Sequence, residues 1–243
     1  MSNHILFVFE GEKTEKQITD NLTKYFVNES TNIQCAYCAD IYQLHTKISN
    51  DEDLDTFVLL KQRPHNQEIL NDFDRDDFAE IYMFFDYDGH AKDADNRKII
   101  ELLDFFNEET ESGKLYLSYP MVEALKHIPI NTDFKELKVP AFDDIKYKKQ
   151  VNDESNSTFQ NFHSLTKEKW IMLIEFHLKK MNFIIQNEYS IPTSFKAQNE
   201  IFAKQLENYI EKDSTVAVLS SFPIFLFDYY GYQFIKKLLD ENI

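Results

Sequence analysis

The chain has 243 residues, 43% of them hydrophobic and 15% aromatic, enough apolar material to bury a sizeable core as one domain or as a core with an appended helical part. Its formal net charge of −16, from 26 Lys and Arg against 42 Asp and Glu, argues against a protein that holds nucleic acid through a broad basic surface. A nucleic acid enzyme stays open if it has local lysine patches, a screening metal or a basic partner. The longest apolar run, Val216 to Phe227, is broken by Ser220, Ser221 and Pro223 and falls short of the roughly 18 residues of a membrane span. With no basic region followed by an apolar one at the amino terminus, a cytoplasmic, non-membrane protein is expected.

Read in order, His4 to Phe9 is an apolar run too short for a helix and predicts a buried strand closed by Glu10 and Gly11. Thr14 is the expected N-cap of a helix with Ile18, Leu22, Tyr25 and Phe26 on one face. A phosphate-binding P-loop does not fit here, because G-x-x-x-x-G-K-[ST] needs a second glycine. Ile33 to Ala39 predicts a second strand carrying Cys35 and Cys38. Residues three apart on a strand face opposite sides, and no second Cys pair completes a zinc site, so free buried thiols are expected. A helix over about Asp40 to Ser49 follows. Phe57 to Leu60 fits either a short strand or a buried helical turn, broken by Pro64. The clusters Asp51-Glu52-Asp53 and Asp74, Asp76, Asp77 read as solvated loop acids.

The stretch around which the chain is organised is Ile81-Tyr82-Met83-Phe84-Phe85-Asp86-Tyr87-Asp88-Gly89-His90. It predicts a buried strand that delivers carboxylates at its carboxyl end, the edge where open α/β sheets bind ligands. Extended geometry puts Asp86 and Asp88 on one side, where the two anions repel unless a cation lies between them. Mg²⁺ suits such a pair, since it prefers one or two carboxylates plus water and substrate phosphate. A polar turn after a strand is the plain alternative. A helix over about Asp95 to Glu109 is expected to bury Ile99, Leu102, Leu103 and Phe106, and Leu115 to Leu117 predicts a fourth strand. Pro120 is then expected near the first turn of a helix, with Glu123 one turn in, on the same edge as the earlier acids. Strands alternating with helices predict right-handed βαβ units and a parallel sheet. Two of only four glycines, Gly11 and Gly89, directly follow Glu10 and Asp88, which suggests tight turns beside the carboxylates.

An α/β domain over residues 1–130 and a C-terminal helical region over 131–243 are therefore expected. In the second, Lys138 to Lys149 is basic with little periodicity and Asn152 to Ser157 is a polar loop. Three helices follow: Lys167 to Gln186 with Trp170, Leu173, Ile174, His177, Met181 and Ile184 on its apolar side, about Ala197 to Lys212, and about Phe222 to Asp240 interrupted at Gly231. His177 reads as a satisfied core histidine. Lys146, Lys148 and Lys149 form a cluster able to touch phosphate, and with Lys13 and Lys126 they are the candidates for nucleic acid contact.

Phe9-Glu10-Gly11-Glu12-Lys13-Thr14-Glu15, Phe85-Asp86-Tyr87-Asp88 and Ser118-Tyr119-Pro120-Met121-Val122-Glu123, in that order, resemble the Toprim domain and, more narrowly, the RloB-like and abortive-infection proteins related to OLD nucleases. The resemblance covers about the first 126 residues. It implies a Toprim-like, mainly parallel four-stranded sheet flanked by helices, and a Mg²⁺- or Mn²⁺-dependent nuclease of DNA or RNA working in phage defence with an ABC-type ATPase subunit. It also implies that Glu10, Asp86 and Asp88 bind metal and serve catalysis, with Glu15 and Glu123 as candidates for a second ion; Glu10 and Glu15 stand five apart where OLD nucleases usually space these acids by four. Two other readings remain. One is a non-catalytic sensor or scaffold that keeps the acids. The other is a haloacid-dehalogenase-like phosphatase, which Phe84 to Gly89 resembles but for which no later G-D-x-x-x-D motif is present. A homo-oligomer is compatible with either enzyme.

Overall fold

The computed structural model describes residues 3–50, 55–143 and 145–241, so Asp51, Glu52 and Asp53, expected as loop acids, lie outside the described residues. The chain forms two compact units that interleave in sequence: the first comprises residues 1–86 and 93–116, the second 87–92 and 117–243.

The first unit is an α/β layer. Strand β1 (Asn3–Phe9) pairs in parallel with β2 (Thr31–Tyr37) on one side and with β3 (Phe78–Asp86) on the other. The five-stranded order is β2-β1-β3-β5-β4, where β5 is Gly113–Ser118 and β4 is the two-residue Asn107–Glu108, antiparallel to β5. The sheet thus has five strands where four were expected. The added edge strand consists of two exposed residues, far too short to leave a period-two pattern. Apolar residues fill both faces of β1 and β3, as in a sheet covered on both sides: Leu6, Phe7, Val8, Phe9, Ile81, Met83, Phe84 and Phe85 are at most 3% exposed. Phe7 and Phe84 meet at 5.1 Å, and Phe84 stacks on Tyr116 at 5.7 Å.

Helix α1 (Thr14–Phe26) buries Ile18, Leu22 and Phe26. Thr14, expected as its N-cap, is already the first helical residue; Lys13 before it has helical backbone angles, accepts from the Gln17 amide at 3.1 Å and makes no side-chain capping bond. Helix α2 (Ile41–Asn50) follows β2. The ambiguous segment resolves into α3 (Thr56–Lys61), capped by the Asp55 side chain, and α4 (Pro64–Leu70), in which Pro64 opens a helix. Buried Asn66 ties them together: its amide exchanges 2.8 Å bonds with the Tyr37 backbone and donates to Leu60 O. Helix α5 (Asn96–Phe105) buries Ile99, Leu102 and Leu103. Cys35 and Cys38 are free; burial pushes the Cys35 thiol up to about 12 and raises Cys38 as well, so neither is a reactive thiolate.

The second unit is mainly helical, with a small sheet the sequence pattern did not announce: β6 (Lys138–Pro140) runs antiparallel to β7 (Thr215–Ala217). Between them lie α6 (Tyr147–Glu154), α7 (Lys167–Gln186) and α8 (Gln198–Gln205). A π-turn over Leu206–Ile210 and the short α9 (Glu211–Asp213) replace the rest of the helix expected to run to Lys212. Gln205 lies at that break, fully buried and bonded through both amide atoms to the Ala217 backbone of β7. Helix α10 (Ser221–Asp240) packs on α7 and loses helical geometry at Gly231 (φ 76°). Helix α7 keeps its predicted bounds, with Thr166 as N-cap, and every residue of its apolar stripe is buried. No helix among the described residues is long and apolar enough to cross a membrane.

Candidate functional site

Each unit carries part of the predicted residue set. In the first, Phe9 pairs with Phe84 in the parallel register, so Glu10 leaves the carboxyl end of β1 beside the end of β3, where Asp86 is the last residue. Adjacent strands lie about 4.8 Å apart, which puts these two acids on one edge of the sheet. A side chain on Gly11 would bring its Cβ to 2.9 Å from both Glu15 carboxylate oxygens; the glycine therefore makes room for an acid that is 7% exposed. Lys13, between them, is exposed.

In the second unit, the chain turns sharply after Tyr87, whose ring is fully buried against Tyr119 (5.8 Å) and Phe202 (6.0 Å). The Tyr87 amide donates to Ser118 O at 3.0 Å. Asp88 takes a left-handed conformation (φ 45°), which Asp tolerates better than most residues and which departs from the extended geometry expected there. Its Oδ1 lies 2.8 Å from His90 Nδ1, an ion pair when that imidazole is protonated. Gly89 is sterically obligatory, since a Cβ there would meet Ala141 O at 2.6 Å.

Glu123 does not sit one turn into an α-helix. Val122–Lys126 is a 3-10 turn, and Val122, Glu123, Ala124 and Leu125 are all buried. Four consecutive buried residues leave no solvent face, so the segment cannot be an amphipathic surface helix begun by Pro120. Glu123 is 5% exposed; Oε1 lies 3.4 Å from Lys148 Nζ, while Oε2 is buried without a hydrogen-bond partner among the described residues. The turn is held by His177, which is fully buried. Its Nδ1 accepts from the Ser220 amide at 3.1 Å, which leaves Nε2–H to donate to Leu125 O at 3.2 Å. Burial lowers its pKa to about 3, so it is the satisfied neutral core histidine expected.

The five lysines divide. Lys126 reaches Asn152 Oδ1 (3.2 Å) and lies over the Phe162 ring, and burial lowers its pKa. Lys146, Lys148 and Lys149 are exposed at the start of α6, a helix the composition had hidden because only Tyr147 and Val151 form its buried face. His127 holds α6 from both ends: Nδ1 meets Tyr147 Oη at 2.9 Å and Nε2 lies 3.5 Å from Glu154 Oε2. Burial lowers the His127 pKa, with Glu154 opposing. The three lysines line a cavity of about 350 Å³ together with His90 and apolar residues that include Met121, Pro140 and Ile145. Nothing local in the sequence marks this cavity, which is assembled from segments more than fifty positions apart.

Among the described residues, no group of three His, Cys, Asp or Glu side chains is drawn together as a ready metal cluster. Carboxylate oxygens are the donor type a hard cation takes; Glu10, Glu15 and Asp86 belong to the first unit, Asp88 and Glu123 to the second. Comparison of the chain with protein-family models, with characterised proteins and with solved structures finds no match.

Proposed function

We propose that this chain is a Mg²⁺- or Mn²⁺-dependent nuclease of Toprim type, acting on DNA or RNA in phage defence together with an ABC-type ATPase subunit. The observation that carries the reading is the parallel pair β1 and β3, each ending in an acid on the same sheet edge, with Asp88 two residues beyond Asp86. An edge of that kind is where open α/β sheets place their ligands. Glu10, Asp86 and Asp88 are the ligands proposed for the metal, and the motif adds Glu15 and Glu123 for a second ion. When bound, the metal would activate water and neutralise charge on the phosphodiester.

The chain's own residues have the remaining tasks. His90, with Nδ1 2.8 Å from Asp88 Oδ1, orients that carboxylate. Lys148, now beside Glu123, supplies a positive charge for a backbone phosphate. Gly11 and Gly89 keep side-chain volume away from Glu15 and the Asp88 turn.

A second reading, a non-catalytic subunit that retains its acids, is favoured by one observation: Asp88 and Glu123 each already face a basic group of their own chain. One experiment separates the two. Purified protein is incubated with Mg²⁺ or Mn²⁺ and a panel of DNA and RNA, alone and with the ATPase, beside Glu10→Gln and Asp88→Asn. Cleavage lost in both variants supports the nuclease. Cleavage that persists in Asp88→Asn removes the mechanism, and absence of cleavage with the ATPase present selects the scaffold.

A further inference from the structure

The cavity beside α6 is a local reversal in a strongly acidic chain: three lysines line it against one acid, Asp143, while the chain as a whole carries −16. Lys148 and Lys149 lie in the first turn of an eight-residue helix and Lys146 immediately precedes it, where the helix dipole adds positive potential. Apart from its charged residues the lining is apolar, with Pro120, Met121, Pro140, Ala141 and Ile145, and with a Tyr147 ring fixed by its hydroxyl contact to His127. The volume of about 350 Å³ falls in the range of small-molecule sites. An inorganic anion would use the lysines and leave the apolar walls wet. An uncharged apolar ligand would do the opposite.

We propose that this cavity binds one nucleotide, its base against the apolar walls and its phosphate on Lys146, Lys148 and Lys149. A nucleobase has a π-face that packs on apolar and aromatic side chains whatever its sequence, and its phosphate is attached at the distance a charged rim requires. Asp143 supplies an acceptor for a sugar hydroxyl or an exocyclic amine. The choice of a nucleotide rests on the phosphodiesterase reading, but its binding is measured apart from catalysis. The nucleotide has two sources with the same chemistry: a free mononucleotide, or an unpaired residue of a single strand.

The test titrates the full chain, in EDTA to prevent cleavage, with nucleoside monophosphates, a single-stranded oligonucleotide and inorganic phosphate, binding being read by calorimetry. Saturable nucleotide binding is expected, weakened about tenfold or more in Lys146→Glu/Lys149→Glu, with the salt dependence of oligonucleotide binding reduced by about one unit of slope per lysine. Ile145→Trp, which fills the cavity without altering charge, should abolish it; melting curves establish that each variant is folded, and the exposed lysine variants carry the test if Ile145→Trp is not. Tighter binding of the oligonucleotide identifies the strand as the source, and binding of mononucleotides alone identifies the free ligand. Phosphate binding as tightly as nucleotides, or nucleotide binding unchanged in the folded variants, overturns the proposal. Cleavage that depends on Asp88 without nucleotide binding would sink the pocket and leave the nuclease, and nucleotide binding without cleavage would do the reverse.

Discussion

Acid should loosen the Glu123 turn through one side chain, His177. In the unfolded chain a histidine titrates near 6.5, whereas the buried imidazole of His177 is lowered to about 3. Because the folded value is depressed, both states are neutral at about pH 7 and the full contribution is present there. As pH falls below about 6.5 the unfolded state gains a proton that the folded state refuses, and stability declines by about 1.4 kcal/mol per pH unit. The loss reaches about 3 kcal/mol near pH 4.5 and about 4 kcal/mol near pH 3, a large share of the stability of an ordinary domain. The control is His177→Asn, whose amide oxygen can replace Nδ1 as acceptor for the Ser220 amide and does not titrate. Urea unfolding of both proteins between about pH 7 and about pH 4.5 gives the difference in stability at each pH. His127 and Lys180, both lowered by burial, Lys180 well below the ordinary lysine range although its ammonium donates to the carbonyls of Phe134 and Leu137, remain in both proteins and largely cancel. The variant should be the less stable protein at neutral pH, having left Leu125 O without its donor, and should lose less on acidification. Parallel decline of the two curves would refute the reasoning.

If the acids hold metal, Mg²⁺ should raise the melting temperature of the wild type in a concentration-dependent way, and Asp88→Asn should remove most of that response while leaving the metal-free protein as stable as before, since Asn also tolerates the left-handed turn. Glu123→Gln should impair cleavage more than metal binding and change stability by no more than about 1 kcal/mol, because its Lys148 partner is largely exposed; a collapse of the metal-induced shift would assign Glu123 to the principal ion instead. Gly89→Ala must displace the backbone at Ala141 and should destabilise by roughly 1–3 kcal/mol, measured as a lower denaturant midpoint; an unchanged midpoint would show that the loop yields freely. Given the −16 charge, the isolated chain should bind nucleic acid weakly at physiological salt and more tightly with its partner, whereas sub-micromolar binding alone would contradict this.

What could be read in the sequence was whatever one segment decides alone. Strands β1 and β3 were legible as apolar runs bounded by acid-glycine turns, and α7 was legible to its ends because its stripe is long and Thr166 stops the chain from starting earlier. The break at Gly231 was visible for the same local reason. Features decided by remote partners were not. Strands β6 and β7 have three residues each and recognise one another across more than seventy positions. The turn at Glu123 looked helical because Pro120 favours helix starts, but burial on every side overrode that preference. Lys146 to Lys149 was seen as a charge cluster and not as a helix, since a face made of Tyr147 and Val151 alone gives too little periodicity. At the site, the sheet-edge position of Glu10 and Asp86 was legible, the pairing of Asp88 with His90 and of Glu123 with Lys148 was not.

The six residues 87–92 leave one unit to join the other and then return. No single break in the polypeptide can therefore separate the two. A gene split or fusion anywhere between residues 93 and 116 would sever the Tyr87 ring from the stretch that holds Tyr119 and Phe202, leaving a void the size of an aromatic side chain in the mainly helical unit. The arrangement makes the protein a poor substrate for modular shuffling: a helical unit exchanged between relatives would have to carry the Asp88 turn with it, through two crossovers in addition to the one at its own start. Inheritance of the acidic turn and of the helical unit is thereby linked by packing, whether or not selection acts on the chemistry.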